Sequence, residues 1–205
     1  MLFHVFMFYT LFLFLPGAHA HNSDFSLLST NMNGLGNAFK LHLITSLISS
    51  CLPLAFILCE TKSLAPTSTL LNLHNYALYE NPALPVVHSS GKWGVVLGVK
   101  KNVQVLHHLQ VPPMLNGRVV AVDLILSTAG ASPQVLQLIG IYAPSAASHD
   151  ANSSFWMNIL SLITFPPLAD LWVVIGDFNQ TLTLRETSSG IYTLMKVEEK
   201  GTGQI

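Results

Sequence analysis

Charge is scarce in this chain. Nine Lys/Arg and ten Asp/Glu make up 9% of 205 residues, for a formal net charge of -1. No run of basic residues is longer than the pair Lys100-Lys101. A protein that holds nucleic acid mainly by charge carries a basic stripe that neutralises successive phosphates. Without one, tight general DNA binding is not supported. Cysteine is scarcer still: Cys51 and Cys59 cannot build a disulfide scaffold or a zinc site, and no His/Cys pair has ligand spacing. Cys59 falls late in the apolar run LAFILC and is expected in the core. No internal repeat is present. What remains is half hydrophobic, which excludes a disordered chain and allows one domain with a substantial core.

Residues 1–20, MLFHVFMFYTLFLFLPGAHA, form an apolar leader that ends in the small-x-small pattern Ala18-His19-Ala20. This reads as a signal peptide, although no Lys or Arg precedes the apolar stretch. The run is short for a membrane span and Pro16 breaks it, so no stable membrane span is expected. The leader implies the secretory pathway. A misassigned start codon would instead leave the domain nuclear or cytoplasmic.

From Asp24 onward, strand-like runs alternate with two helical patterns. FSLLSTNMNG begins as a strand and turns at Asn33-Gly34. NAFKLHLITSLISS carries Leu43, Ile44, Leu47 and Ile48 at helical spacing, and Pro53 closes it. LAFILC is a buried strand. Residues 61–90 read as a long loop with a short strand near Tyr76. WGVVLGV, VQVLHHL, RVVAVDLIL and QVLQLIGIYA follow as strands with Val, Leu and Ile bias, the last two separated by a turn at 130–133. A second helix opens with Asn152-Ser153-Ser154 as its cap region. Its apolar face is Phe155, Trp156, Ile159, Leu160 and Ile163. LWVVIG is the final strong strand, and the pattern fades after Leu184. Strands outnumber helices, which points to a mixed sheet or a two-sheet sandwich covered by helices.

Several apolar strands end on polar residues: Asn31 and Asn33, Glu60, Tyr142, and Asp177 with Asn179. Alternation along an extended chain puts Asp177 and Asn179 on one side, as a polar turn or as half of an active site. Carboxylates at the ends of buried strands are costly unless compensated. A hard cation such as Mg²⁺ compensates them, because it needs only one or two carboxylates and accepts phosphate oxygens. His42, His107 and His108 are expected on solvent faces or sheet edges, and Lys92 and Trp93 in GKWG are expected to shape a loop. Asn152 and Asn179 head glycosylation sequons; a glycan on Asn179 could not coexist with a phosphate site there.

The segments NMNGLGNAFKLHLITSLISSCLPLAFILCETK, GKWGVVLGVKKNVQV, GRVVAVDLIL, IGIYAPS and VVIGDFNQTL occur in an order that resembles the endonuclease/exonuclease/phosphatase superfamily. They look most like the endonuclease domain of LINE-type non-LTR retrotransposons. The resemblance covers residues 24–190 and leaves 191–205 unassigned. It implies an α/β fold of the α+β kind, two packed mixed β-sheets flanked by helices in a four-layer, DNase I-like sandwich, incomplete at the C-terminus. It also implies Mg²⁺-dependent phosphodiester hydrolysis, with Mn²⁺ as a substitute and DNA or another phosphodiester as partner. Glu60 and Asn31 match the metal site. Tyr142 matches the tyrosine near the scissile phosphate. Asp177 matches the aspartate that handles the attacking water or the leaving group, and Asn179 the phosphate-binding asparagine. The departure is a late Ser-Asp-His motif, which does not occur; Ser148-His149-Asp150 has the letters in another order. The expectation is a domain whose catalysis is impaired, with a non-catalytic remnant or a secreted binding protein as the alternative.

Overall fold

The computed structural model describes residues 9–12, 26–87, 91–127, 132–145, 149–164, 169–179, 182–186 and 192–196. Strands β1 (Tyr9–Phe12), β2 (Ser26–Asn31), β3 (Ala55–Cys59), β4 (Tyr76–Asn81) and β5 (Val95–Lys100) form one sheet in the order β1-β2-β3-β5-β4. Strands β6 (Gln104–His108), β7 (Val119–Leu126), β8 (Gln134–Tyr142) and β9 (Leu171–Asp177) form a second, in that order. A separate antiparallel pair, β10 (Leu182–Glu186) and β11 (Tyr192–Lys196), follows. Both sheets are mixed: β2 and β3 run parallel in the first, β8 and β9 in the second, and their other pairs are antiparallel.

Each parallel pair needs a crossover, and each crossover is a helix. Helix α1 (Ala38–Cys51) joins β2 to β3, and α2 (His149–Thr164) joins β8 to β9. The side chain of Asn37 caps α1 by accepting from the backbone N–H groups of Phe39, at 2.8 Å, and Lys40. Leu52, at φ 46°, ends the helix in the left-handed region ahead of Pro53.

The strands read as continuous apolar runs because both faces are covered. In β3, Ala55, Ile57 and Cys59 face the second sheet, while Phe56 and Leu58 join Ile44 and Ile48 of α1. In β7, Val120, Val122 and Leu124 face the first sheet, while Val119 and Ala121 share a layer with Phe155 and Ile159 of α2. The layers therefore run helix, sheet, sheet, helix, as expected. Burying a large aliphatic or Phe side chain contributes roughly 1.5–3 kcal/mol, so the inter-sheet layer and the two helix-facing layers all add substantially to stability.

Some local expectations change. Leu43 is 41% and Leu160 52% exposed, so each helix buries a narrower face than its apolar stripe. Helix α2 starts at His149, three residues ahead of the expected cap, and the side chain of Ile163 and residues 130 and 131 of the turn expected at 130–133 lie outside the described residues. The faded pattern after Leu184 resolves into β10 and β11, whose Leu, Thr and Tyr content suits strands. Part of the apolar leader, β1, pairs antiparallel with β2. On β7, Asp123 is buried; it accepts from Gln137 Nε2 at 3.3 Å and lies 3.4 Å from Nδ1 of His107. His107 is exposed on the edge strand β6, as expected for a solvent face or sheet edge, and its ring lies against that carboxylate.

Candidate active site

The two parallel pairs bring their strand ends to one edge. Asn31 is the last residue of β2 and pairs in register with Cys59, which Glu60 follows. Tyr142 is the last residue of β8 and pairs with Asp177, the last of β9. Thus each β-helix-β unit delivers two polar residues at its carboxyl edge, one unit from each sheet.

Hydrogen bonds then join the sheets. Asn31 Nδ2 donates to Asp177 Oδ2 at 2.7 Å, and the Tyr142 hydroxyl donates to Glu60 Oε1 at 2.5 Å. The remaining bonds fix orientation. Asn31 Oδ1 accepts from the Asn33 N–H at 2.9 Å. Asp177 Oδ1 accepts from the Asn179 N–H at 2.9 Å, and Asn179 Nδ2 donates to the Ala143 carbonyl at 2.7 Å. The five residues matched by the resemblance thus lie at one edge in two hydrogen-bonded sets, Asn31–Asp177–Asn179 and Tyr142–Glu60. The turn seen in Asp177-x-Asn179 is real, and it aims the carboxylate.

The backbone around the network is unusual. Asn33, Glu60, Lys62 and Asn179 all have φ between 43° and 52°. Asparagine tolerates this region, whereas Glu60 and Lys62 gain nothing local from it. Such conformations persist where surrounding contacts over-determine them, as at ligand clamps. Gly176 has φ 147°, and a Cβ there would lie 1.9 Å from the Ile141 carbonyl oxygen. Only glycine lets β9 lie this close to β8 immediately before Asp177.

Burial pushes the pKa of Tyr142 well above its ordinary value, helped by its hydrogen bond to Glu60 and opposed by Asn179. Tyr142 is therefore a neutral donor at physiological pH. Beneath the site, burial pushes the Cys59 thiol up to about 12, and Cys59 Sγ donates to the Ile141 carbonyl at 3.1 Å. A buried, protonated thiol is an inert core residue rather than a nucleophile.

Sequence reasoning missed the cations. Lys62 Nζ donates to Asn33 Oδ1 at 2.6 Å and lies 3.8 Å from Glu60 Oε2. Lys40 Nζ donates to the carbonyls of Met32 and Asn33. Arg118 Nη1 donates to the Tyr142 carbonyl at 3.1 Å, and its guanidinium stacks 3.8 Å from the centroid of Trp93. Lys92 lies 4.3 Å from the same ring. Four of the nine Lys/Arg thus gather around the network from four separate segments, although no basic run exists. The one local signal was Lys62, two residues after Glu60.

Among the described residues, no group of three His, Cys, Asp or Glu could hold a metal ion. The candidate donors are the Glu60 carboxylate and the amide oxygen of Asn31, which stand at the ends of neighbouring strands, and the Asp177 carboxylate, which is hydrogen-bonded to Asn31. That set does not fit zinc, which takes four firm ligands or three plus water. It fits Mg²⁺, which keeps several of its waters and is held by one or two carboxylates.

No family model and no curated protein matches the chain. Solved structures do. The chain is similar to humanized D. rerio TDP2 at 18% identity and a TM-score of 0.55, over 77% of this chain and 63% of that one. It is similar to the Xenopus laevis APE2 catalytic domain at 16% identity and a TM-score of 0.60, over 76% and 58%. An AP endonuclease from Archaeoglobus fulgidus matches at 17% identity and a TM-score of 0.52, over 75% and 57%. The chain spans about three-fifths of the length of these structures. These neighbours are members of the endonuclease/exonuclease/phosphatase superfamily. With two mixed sheets layered between helices, the chain has the DNase I-like fold that they share.

Proposed function

We propose that this edge is a phosphodiester site that works with Mg²⁺, and that the domain derives from a LINE-type retrotransposon endonuclease acting on DNA. The observation that carries this reading is the pair of hydrogen bonds between the sheets, Asn31 to Asp177 and Tyr142 to Glu60. Four residues distant in sequence are held together there, with cations near them. One of the similar structures is D. rerio TDP2 complexed with a single-strand DNA product.

Glu60 and Asn31 Oδ1 would hold the ion, which would supply Lewis-acid stabilisation of charge on the phosphoryl oxygens. The protein groups do the rest. Asp177 takes one hydrogen bond on each carboxylate oxygen, which fixes its plane. Each oxygen keeps a free lone pair to orient an attacking water and accept its proton. Tyr142 stays protonated and offers a neutral O–H to a phosphoryl oxygen in exchange for Glu60. Asn179 Nδ2, which gives one N–H to the Ala143 carbonyl, offers its other N–H to the same oxyanion.

The family resemblance calls for a late histidine to complete this chemistry. No hydrogen bond joins a histidine to any of the five residues among the described residues. Groups that act as a unit lose most of their effect when one is missing. We therefore propose that the 205-residue chain binds phosphodiesters and hydrolyses them slowly. A second reading, a binding domain without turnover, is favoured by Lys62, whose ammonium beside Glu60 already supplies part of the positive charge.

The test is nicking of supercoiled plasmid with Mg²⁺, with EDTA and Asp177→Ala as controls. Weak nicking, lost in both controls, is expected. Robust nicking lost in both would overturn the proposed impairment, and nicking that survives Asp177→Ala would remove this site from the chemistry.

A further inference from the structure

Helix α2 reaches the site through Trp156. Asp177 and Asn179 turn their polar groups toward Asn31 and the Ala143 carbonyl, whereas Phe178 between them packs in the layer shared by the second sheet and α2. There its ring stacks on the indole of Trp156, with centroids 5.9 Å apart and planes 15° from parallel. Phe155, which is buried, meets Trp156 in a T-shaped contact at 5.2 Å and 82°. Three aromatic rings thus run from the core of the helix layer to the middle of the Asp177-x-Asn179 turn.

The turn needs such an anchor. Gly176, at φ 147°, and Asn179, at φ 48°, bracket Asp177 and Phe178 with backbone that ordinary strands do not adopt. Contacts from elsewhere must therefore set its orientation. The Ala143 N–H donates to the Asp177 carbonyl at 2.8 Å, and the Ala143 carbonyl accepts from Asn179 Nδ2 at 2.7 Å. Asn31 Nδ2 donates to Asp177 Oδ2 at 2.7 Å. These bonds leave one motion open, a tilt of the turn about the line through Ala143 and Asn31. A ring laid flat on an indole opposes that tilt, because tilting would part the two π faces and open a gap in a close-packed layer.

From this geometry we infer that Trp156 is a positioning residue: by stacking on Phe178 it sets the tilt of the turn, and with it the aim of the Asp177 carboxylate and the Asn179 amide. The catalytic meaning of this role rests on the phosphodiester reading; the mechanical role does not. A residue that only fills the core would add stability and nothing else. A positioning residue also decides how well Asp177 meets Asn31, which belongs to the other sheet.

The test is the double-mutant cycle of Asn31→Ala and Asp177→Ala, read by urea unfolding of the full chain and repeated in three backgrounds. Trp156→Leu removes the stack, Trp156→Phe keeps a ring on Phe178, and Ile44→Val, buried beneath α1 on the opposite outer layer, is the control for lost stability. The coupling between Asn31 and Asp177, as a factor in the unfolding constant, should fall by roughly threefold in Trp156→Leu, the size of one aromatic pair. It should be largely restored in Trp156→Phe and unchanged in Ile44→Val. Phe178→Leu should act as Trp156→Leu does, and it decides the matter if Trp156→Leu is too unstable for the cycle. Coupling that survives loss of the stack, or that falls equally in Ile44→Val, would overturn the positioning role. Single-turnover nicking of plasmid with Mg²⁺ is measured on the same proteins. In Trp156→Leu the rate at saturating protein should fall by roughly tenfold with the half-saturating concentration unchanged, since a small misplacement of a catalytic group slows the step more than binding. A coupling that responds as expected while wild type does not nick at all, or while nicking is the same in Trp156→Leu, would overturn the phosphodiester reading and uphold the mechanical role.

Discussion

Replacing Asn31 and Asp177 by alanine, singly and together, measures whether the two sheets share one site. Their side chains meet at 2.7 Å, and both residues are of intermediate exposure. A hydrogen bond to a charged acceptor is worth about 1.5–3 kcal/mol net, and partial solvation reduces this, so a coupling of about 1–2 kcal/mol is expected. Asp177→Ala also removes the acceptor of the Asn179 N–H, but that loss occurs in the presence and absence of Asn31 and cancels in the cycle. The assay is urea unfolding of the four proteins with a common slope. In thermal melts each 1 kcal/mol corresponds to roughly 2–4 °C for a chain of this size. A coupling below about 0.3 kcal/mol would show that the contact does not join the sheets, and the site would lose its structural basis.

Gly176→Ala should destabilise the fold by more than about 2 kcal/mol in the same melts, because its Cβ would sit 1.9 Å from the Ile141 oxygen; a change under 0.5 kcal/mol, on the order expected for an open surface site, would contradict the tight approach of β8 and β9. Alkali should also destabilise it. Cys59 and Tyr142 hold their protons more tightly folded than at their ordinary values of 9.0 and 10.0, so their contribution is complete below pH 9 and declines as pH rises through those values. The decline should approach about 1.4 kcal/mol per pH unit for the fully buried Cys59 and be smaller for the partly exposed Tyr142, so Tyr142→Phe should reduce it; an unchanged alkaline limb would refute the assignment. If the leader is cleaved, mass spectrometry of exported protein should begin at His21, β1 would be lost and β2 would become the sheet edge; an intact Met1 in a nuclear or cytoplasmic pool would contradict secretion.

Glu60 and Asp177 were legible in the sequence because an apolar run that ends on a carboxylate is conspicuous in a chain with so few charges. Cys59 and the layers of β3 and β7 were legible for the same reason, since continuous apolar strands must be covered on both faces. The register that sets Tyr142 beside Asp177, and Asn31 across from it, is a pairing between distant segments that local pattern does not encode. The cations were hidden likewise: Lys40 and Lys62 come together at Asn33, and Lys92 and Arg118 at the Trp93 ring, through contacts that no basic run announces. Helical periodicity located the stripes of α1 and α2 but not their contact lines, so Leu43 and Leu160 were placed too deep. Asp123 drew no reading in the sequence, and only its cross-strand neighbours His107 and Gln137 show why a carboxylate is tolerated there.

Titration of the chain with Mn²⁺, followed by electron paramagnetic resonance and chased with Mg²⁺, tests the central claim without requiring turnover. One site per chain is expected, displaced by Mg²⁺ and lost in Glu60→Gln. Mn²⁺ binding that is unaltered in Glu60→Gln, or absent from wild type, would contradict a metal site at this edge.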